Sequence, residues 1–104
     1  MLRLAPLLAL LAAPAAAGAL PPLDRAAELE HLVRQDCGAC HGMTLAGGLG
    51  PDIRPAALAA LDRTALVSVI LDGRPGTAMP PWRPLLSEAE AAWIAEYLRT
   101  GDAP

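Results

Sequence analysis

The chain has 104 residues, eight basic (all Arg) against eleven acidic, for a formal net charge of -3, with two Cys, two His, three Met and no Phe. This length allows one domain, and the acidic balance excludes a nucleic-acid binder, which must meet phosphates with a basic face. Eleven Pro and nine Gly are too many for a long bundle or coiled coil, and no collagen-like or low-complexity period accompanies them.

Residues 1–19, MLRLAPLLALLAAPAAAGA, carry one basic residue, Arg3, then an uncharged apolar run from Leu4 to Ala17, then small residues that offer cleavage after Ala17 or Ala19. This is the layout of a secretory signal peptide, with residues 20–104 as the mature domain. A bilayer span needs about 20 apolar residues. The run is shorter, Pro6 and Pro14 interrupt it, and no Cys stands at the cleavage site to take a lipid, so no stable membrane anchor is expected. The mature part keeps two Trp, one Tyr and no Phe as its aromatic content. A domain this small, with so little aromatic mass, commonly needs a metal, a disulfide or a cofactor for stability.

After a Pro-containing lead-in at 20–23, a helix is expected from Asp24, a good N-cap, with Leu29, Leu32, Val33, Cys37 and Cys40 at helical spacing. Residues 42–55 read as loop, broken by Gly42, Gly47, Gly48, Gly50, Pro51 and Pro55. Pro55 suits a first helical position, and a short helix is expected over Ala56–Leu61. Thr64 is the expected cap of the next helix, with Leu66, Val67, Ile70 and Leu71 apolar and Gly73 as its stop. Val67–Leu71 is β-branched enough to suggest a strand, but no second strand exists to pair with it. Residues 73–86 form a loop stiffened by Pro75, Pro80, Pro81 and Pro84. Ser87 and Glu90 make a capping box for a last helix with Ala91, Ile94, Tyr97 and Leu98 on one face, Trp93 beside them and Gly101 at its end. The expected class is all-α, three to four helices with long Gly/Pro loops, and such loops in a compact domain wrap something or do something.

Cys37-Gly38-Ala39-Cys40-His41 is C-x-x-C-H. Residues three apart lie on one face of a helical turn, so both thiols can reach the vinyl groups on one side of a porphyrin and form thioethers. The adjacent His41 can then offer its imidazole to the iron. With an export signal upstream, the pattern reads as attachment of one haem c. A disulfide Cys37–Cys40 is the main rival; it leaves His41 unexplained and the core short. A thioredoxin-like site needs a preceding strand in a βαβ unit. A zinc site needs four ligands, and the fourth would be His31, ten residues back on a polar stretch.

A low-spin iron carrier needs a sixth ligand, and His31, Met43 and Met79 are the candidates. His31 stands among Glu28, Glu30 and Arg34 and reads as solvated. Met43 follows His41 by two residues and is tied to the proximal side. Met79 sits in Gly76-Thr77-Ala78-Met79-Pro80-Pro81-Trp82, where prolines stiffen an extended loop. A lone Met is ordinarily core filler; in this loop, downstream of C-x-x-C-H, it is the expected axial partner of His41. A thioether is soft and favours Fe(II), which raises the reduction potential.

Cys37-Gly38-Ala39-Cys40-His41-Gly42, Gly50-Pro51, Met79-Pro80-Pro81-Trp82 and a terminal amphipathic helix ending in Tyr97-Leu98 resemble the class I c-type cytochromes, from about residue 24 to 100. The resemblance implies a helical fold around one haem, with the first and last helices packed together. It also implies that the Pro51 carbonyl accepts a hydrogen bond from His41 Nδ1–H, which orients a metal-bound imidazole. More narrowly, the blocks Gln35–Thr44 and Gly73–Trp82 look like the NirC-type cytochromes. Those are small periplasmic monohaem proteins encoded beside cytochrome cd nitrite reductase in denitrifiers. What that resemblance implies is a periplasmic monomer linked to electron supply to the reductase, or to maturation of its haem d.

No charge appears from Cys37 through Pro51, and from Gly73 through Leu86 there are Arg74 and Arg83 and no acid. These arginines either neutralise haem propionates or, with Trp82, form a rim for docking a redox partner, where surface charge sets encounter rate more than affinity. With both axial positions taken and no acid–base pair facing an open site, the expected role is a one-electron carrier, not an enzyme. The rival classes are an assembly factor for a tetrapyrrole or its reductase, and a ligand-binding or peroxidatic haem protein, which requires Met79 to leave the iron.

Overall fold

The computed structural model describes residues 23–104, with Ala5 and Ala9 before them; the signal peptide expected over 1–19 lies outside the described residues. The elements run α1 (Leu23–Leu32), a π-helical turn (Val33–Cys37), α2 (Gly38–His41), α3 (Pro55–Leu58), α4 (Arg63–Asp72) and α5 (Glu88–Thr100), with no strand among the described residues. The all-α expectation holds, and the strand alternative over Val67–Leu71 does not arise.

The expected first helix is one continuous run through α1, the π-helical turn and α2. Asp24 falls inside its first turn rather than before it, because the helix begins at Leu23. The π-helical turn is the unexpected part: the Gly38 N–H bonds to Val33 O, five residues back. Leu29 and Val33 are fully buried, and Cys37 packs against the same core. A row spaced by four overshoots each 3.6-residue turn by about 0.4 residue. The wider turn takes up that drift and keeps Cys37 on the buried face. Such insertions concentrate at functional sites.

α3 is a single turn, shorter than the helix expected over Ala56–Leu61. Pro55 opens it as expected, but Leu58 is its one buried side chain. Leu61 N–H then closes a tighter turn on Leu58 O (3.0 Å). The cap of α4 is Asp62 and not Thr64: Asp62 Oδ1 accepts the Ala65 N–H at 2.7 Å. Thr64 is already helical, because the Leu66 N–H bonds to Asp62 O (3.1 Å), a full turn back across it. Gly73 ends α4, its N–H on Val69 O.

α5 is the centre of the core. Ser87 and Glu90 form the full reciprocal capping box, and Gly101 closes the helix in the left-handed conformation. Ala91, Trp93, Ile94, Ala95, Tyr97 and Leu98 are buried, and α5 packs on α1, α3 and α4. Trp93 and Tyr97, one turn apart, stack with ring centroids 5.4 Å apart and 9° between planes.

Polar contacts latch α1 to α5 beside this core. Arg34 Nη2 donates to Tyr97 Oη (3.0 Å), whose hydroxyl donates to Glu30 Oε1 (3.2 Å). Arg25 pairs with Glu90 and with Glu28 (2.6 Å to the latter). Glu90 therefore serves both the cap of α5 and the junction with α1. Burial raises its carboxyl pKa, but hydrogen bonds from the Ser87 N–H and Arg25 outweigh that and hold it below the ordinary value.

Glu90→Ala should lower stability by about 1–2 kcal/mol, the sum of a lost capping contact and a partly buried ion pair. Glu88→Ala, at an exposed position, should stay within about 0.5 kcal/mol. Because the folded pKa of Glu90 is depressed, its contribution is complete above the unfolded carboxyl value of about 4.3 and fades as pH falls through the lower folded value. Denaturant unfolding of both variants at neutral and acid pH checks magnitude and sign.

Candidate functional site

The end of the first helical run presents the C-x-x-C-H residues. Cys37 is half-buried at the close of the π-helical turn, Cys40 is exposed on α2, and both are free thiols. Burial, with the Asp36 carboxylate adding to it, pushes the Cys37 thiol up to about 11. A redox-active C-x-x-C pair needs the opposite, a thiol lowered toward the thiolate, and among the described residues no strand precedes this one. His31 lies exposed on α1, and among the described residues no group of three or more His, Cys, Asp or Glu gathers as a metal cluster.

Residues 42–54 fold back over the end of α2. Helix ends leave carbonyls without intrahelical partners; here Gly50 N–H bonds to Cys40 O (2.7 Å) and Gly47 N–H to His41 O (2.7 Å). Ile53 N–H on Leu45 O (3.0 Å) holds the loop's return. The backbone thereby brings Pro51 to His41, with Nδ1 2.7 Å from Pro51 O. A carbonyl can only accept, so Nδ1 carries the proton, and the Nε2 lone pair is left for another partner. Gly50 stands in the sequence as a loop breaker and as half of the Gly50-Pro51 motif, with no contact to His41 implied for it. A Cβ there would lie 2.7 Å from His41 Cε1 and 2.8 Å from Nδ1, so only glycine lets the backbone lie against the ring. Its position just before Pro51 was the signal.

The second loop, 73–86, carries Met79 and Trp82, both half-buried, with Trp82 against the core cluster. Its return limb is bonded to α4: Trp82 N–H to Ile70 O (3.1 Å) and Arg83 N–H to Leu71 O (3.0 Å). Gly73, at φ +68°, passes so close to the Met79 carbonyl that a Cβ would stand 2.6 Å from its oxygen. Arg74 is exposed and makes no side-chain hydrogen bond or ion pair among the described residues. Arg83 differs from the expectation of a cation open for docking or a propionate. Its Nε and Nη2 fork Asp72 Oδ1 and Oδ2 at 2.8 and 2.9 Å, and Nη1 reaches Glu88 at 3.8 Å. Asp72, the acid that holds Arg83, stands one residue before the acid-free stretch that begins at Gly73.

The donor set fits haem c. It offers two unpaired thiols three residues apart on a helix end, and an imidazole held by a carbonyl on one nitrogen with the other free. A glycine-lined loop closes against that ring.

The comparisons agree with this chemistry. The family model described as cytochrome C oxidase, cbb3-type, subunit III matches residues 24–98. Cytochrome c55X of Paracoccus denitrificans is 62% identical over 98 residues, covering 94% of each chain. The solved structure of the c-type cytochrome NirC is 50% identical, with a TM-score of 0.77 over 81% of this chain and all of that one. The structure of the dihydro-heme d1 dehydrogenase NirN in complex with DHE shares 41% identity and a TM-score of 0.64 over 72% of this chain, which spans only 16% of that protein. From its site and its relatives alike, the chain belongs to the c-type cytochromes, as a monohaem protein of the c55X and NirC kind with one covalently bound haem c.

Proposed function

We propose that this chain is an exported, periplasmic one-electron carrier that works as a monomer and passes electrons to a nitrite reductase of the cytochrome cd type. The observation that carries the carrier reading is the fixed imidazole: His41 Nδ1 is committed to Pro51 O at 2.7 Å, beside two thiols at helical spacing. Haem c, when bound, supplies a one-electron Fe(III)/Fe(II) couple. Cys37 and Cys40 would hold it covalently, and His41 Nε2 would be one axial ligand. Met79, on a loop bonded back to α4, would be the other, and its soft sulfur would favour the reduced state.

Export is supported by the leader-like order of residues 1–19. Among the described residues no helix is long and apolar enough to cross a membrane. The nitrite reductase as acceptor is supported by the similarity to NirC and cytochrome c55X. With Arg83 held by Asp72, Arg74 is the loop's open cation, available to a haem propionate or to a partner's acidic rim. Trp82, half-buried on the same loop, would belong to the same rim.

Met79→Ala should abolish the weak sulfur-to-iron band of the oxidised protein and let the reduced protein bind CO. Its potential should fall by on the order of 0.1 V, a fraction of the range that axial ligands span. A variant that keeps the band places the sixth ligand elsewhere.

Gly50→Ala should cost about 1–3 kcal/mol in denaturant unfolding, because the new methyl must displace the His41 ring or the loop. A neutral result would mean that loop and ring are not held together.

Arg74→Glu should slow stopped-flow electron transfer to the purified reductase roughly three- to tenfold at low salt, with the difference shrinking as salt rises. An unchanged rate removes Arg74 from docking.

A further inference from the structure

The loop that carries Met79 leaves α4 at Asp72 and joins α5 at Glu88. Between these ends it has a neck and a tip. In the neck, residues 70–74 face residues 79–83 through three backbone bonds: Arg74 N–H to Met79 O (3.3 Å), Trp82 N–H to Ile70 O (3.1 Å) and Arg83 N–H to Leu71 O (3.0 Å). The tip, Pro75–Ala78, is exposed. Its bonds are local: the Thr77 hydroxyl donates to Arg74 O (2.7 Å) and accepts the Met79 N–H (3.3 Å). The position of Met79 is therefore set from the neck, and the backbone bond nearest to it is a long one.

One side chain spans the whole neck. Arg83 forks both oxygens of Asp72, the last residue of α4, and also reaches Glu88, the first residue of α5. A single guanidinium on the return limb thus ties together the two helices from which the loop is hung. Exposed ion pairs contribute little as a rule, but a planar two-bond fork with a second carboxylate nearby is the arrangement that does contribute.

We propose that the Asp72–Arg83 pair is a strap that positions Met79, holding the return limb on α4 and so setting how often the thioether leaves the iron. Asp72 and Arg83 are positioning residues that act through the loop. The inference rests on the reading of Met79 as an axial ligand.

The test is stopped-flow binding of imidazole to the oxidised holoprotein at saturating imidazole, where the rate reports departure of Met79. Asp72→Asn and Arg83→Gln should each raise that rate about two- to fivefold, the span expected of an exposed pair. The double variant should be no faster than either single one, and Arg83→Lys, which keeps the charge and loses the fork, should fall between. Asp62→Ala removes the cap at the far end of α4 and should lower overall stability while leaving the imidazole rate at the wild-type value. Equal rates in wild type, Asp72→Asn and Arg83→Gln overturn the strap, as does an equal acceleration by Asp62→Ala. If Met79→Ala keeps the sulfur-to-iron band, the ligand reading falls and the strap with it. If Met79→Ala loses the band and Asp72→Asn leaves the rate unchanged, the strap alone falls.

Discussion

The hydrogen bond from His41 Nδ1–H to the Pro51 carbonyl is the contact on which the site depends. As a stabilising interaction it contributes about 1 kcal/mol, like other intramolecular hydrogen bonds. Its larger effect is on chemistry: it fixes the tautomer and the direction of the ring, and leaves one nitrogen free to bind iron. The backbone bonds that satisfy the carbonyls of Cys40 and His41 are the ones that bring Pro51 to the ring. The loop's glycines are there for that return, and Gly50 is there because a side chain would occupy the space of the ring. Helix capping and ligand orientation are thus one structural event.

The rest of the fold keeps this event in place. α5 carries six of the thirteen buried core residues and is fastened to the first helical run by buried apolar contacts and by the Arg25–Glu90 and Glu30–Tyr97–Arg34 contacts. Arg25 and Glu30 lie on α1 and Arg34 near the start of the π-helical turn, while the C-x-x-C-H residues lie at and after its end. The turn passes the phase of the buried face on to Cys37, so the packing that anchors α1 also sets where the cysteines point. On the other side of the core, α4 supplies carbonyls for the return limb of the Met79 loop. Two rigid helix ends therefore present two loops, and the chemistry sits on the loops.

Much of this was legible in the residues. The capping box at Ser87 and Glu90, the glycine stops at Gly73 and Gly101 and the apolar face of α4 follow from local rules that the structure obeys. The C-x-x-C-H pattern gave the cofactor, and the family resemblance gave the role of the Pro51 carbonyl. What escaped the sequence depends on packing. Asp62 and Thr64 are both capable caps, and it is the Asp62 carboxylate that meets the Ala65 N–H in the folded chain. The π-helical turn has no local code; it arises from burying Leu29, Val33 and Cys37 on one face. α3 is shorter than its composition suggests because alanines allow a helix but do not pull one into the core. In the sequence Arg83 looks like an open cation of the loop, because its partner lies eleven positions away, across a closure that only the folded chain makes.

Proton NMR of the purified, haem-loaded protein tests most directly whether a carbonyl-held imidazole and a thioether grip the iron. In the reduced state, the ring current should carry one methionine methyl, assigned to Met79, far upfield. The Nδ1 proton of His41 should exchange slowly with solvent, as expected of a proton held by the Pro51 carbonyl. A spectrum with no displaced methionine methyl and a freely exchanging His41 ring proton would contradict the account.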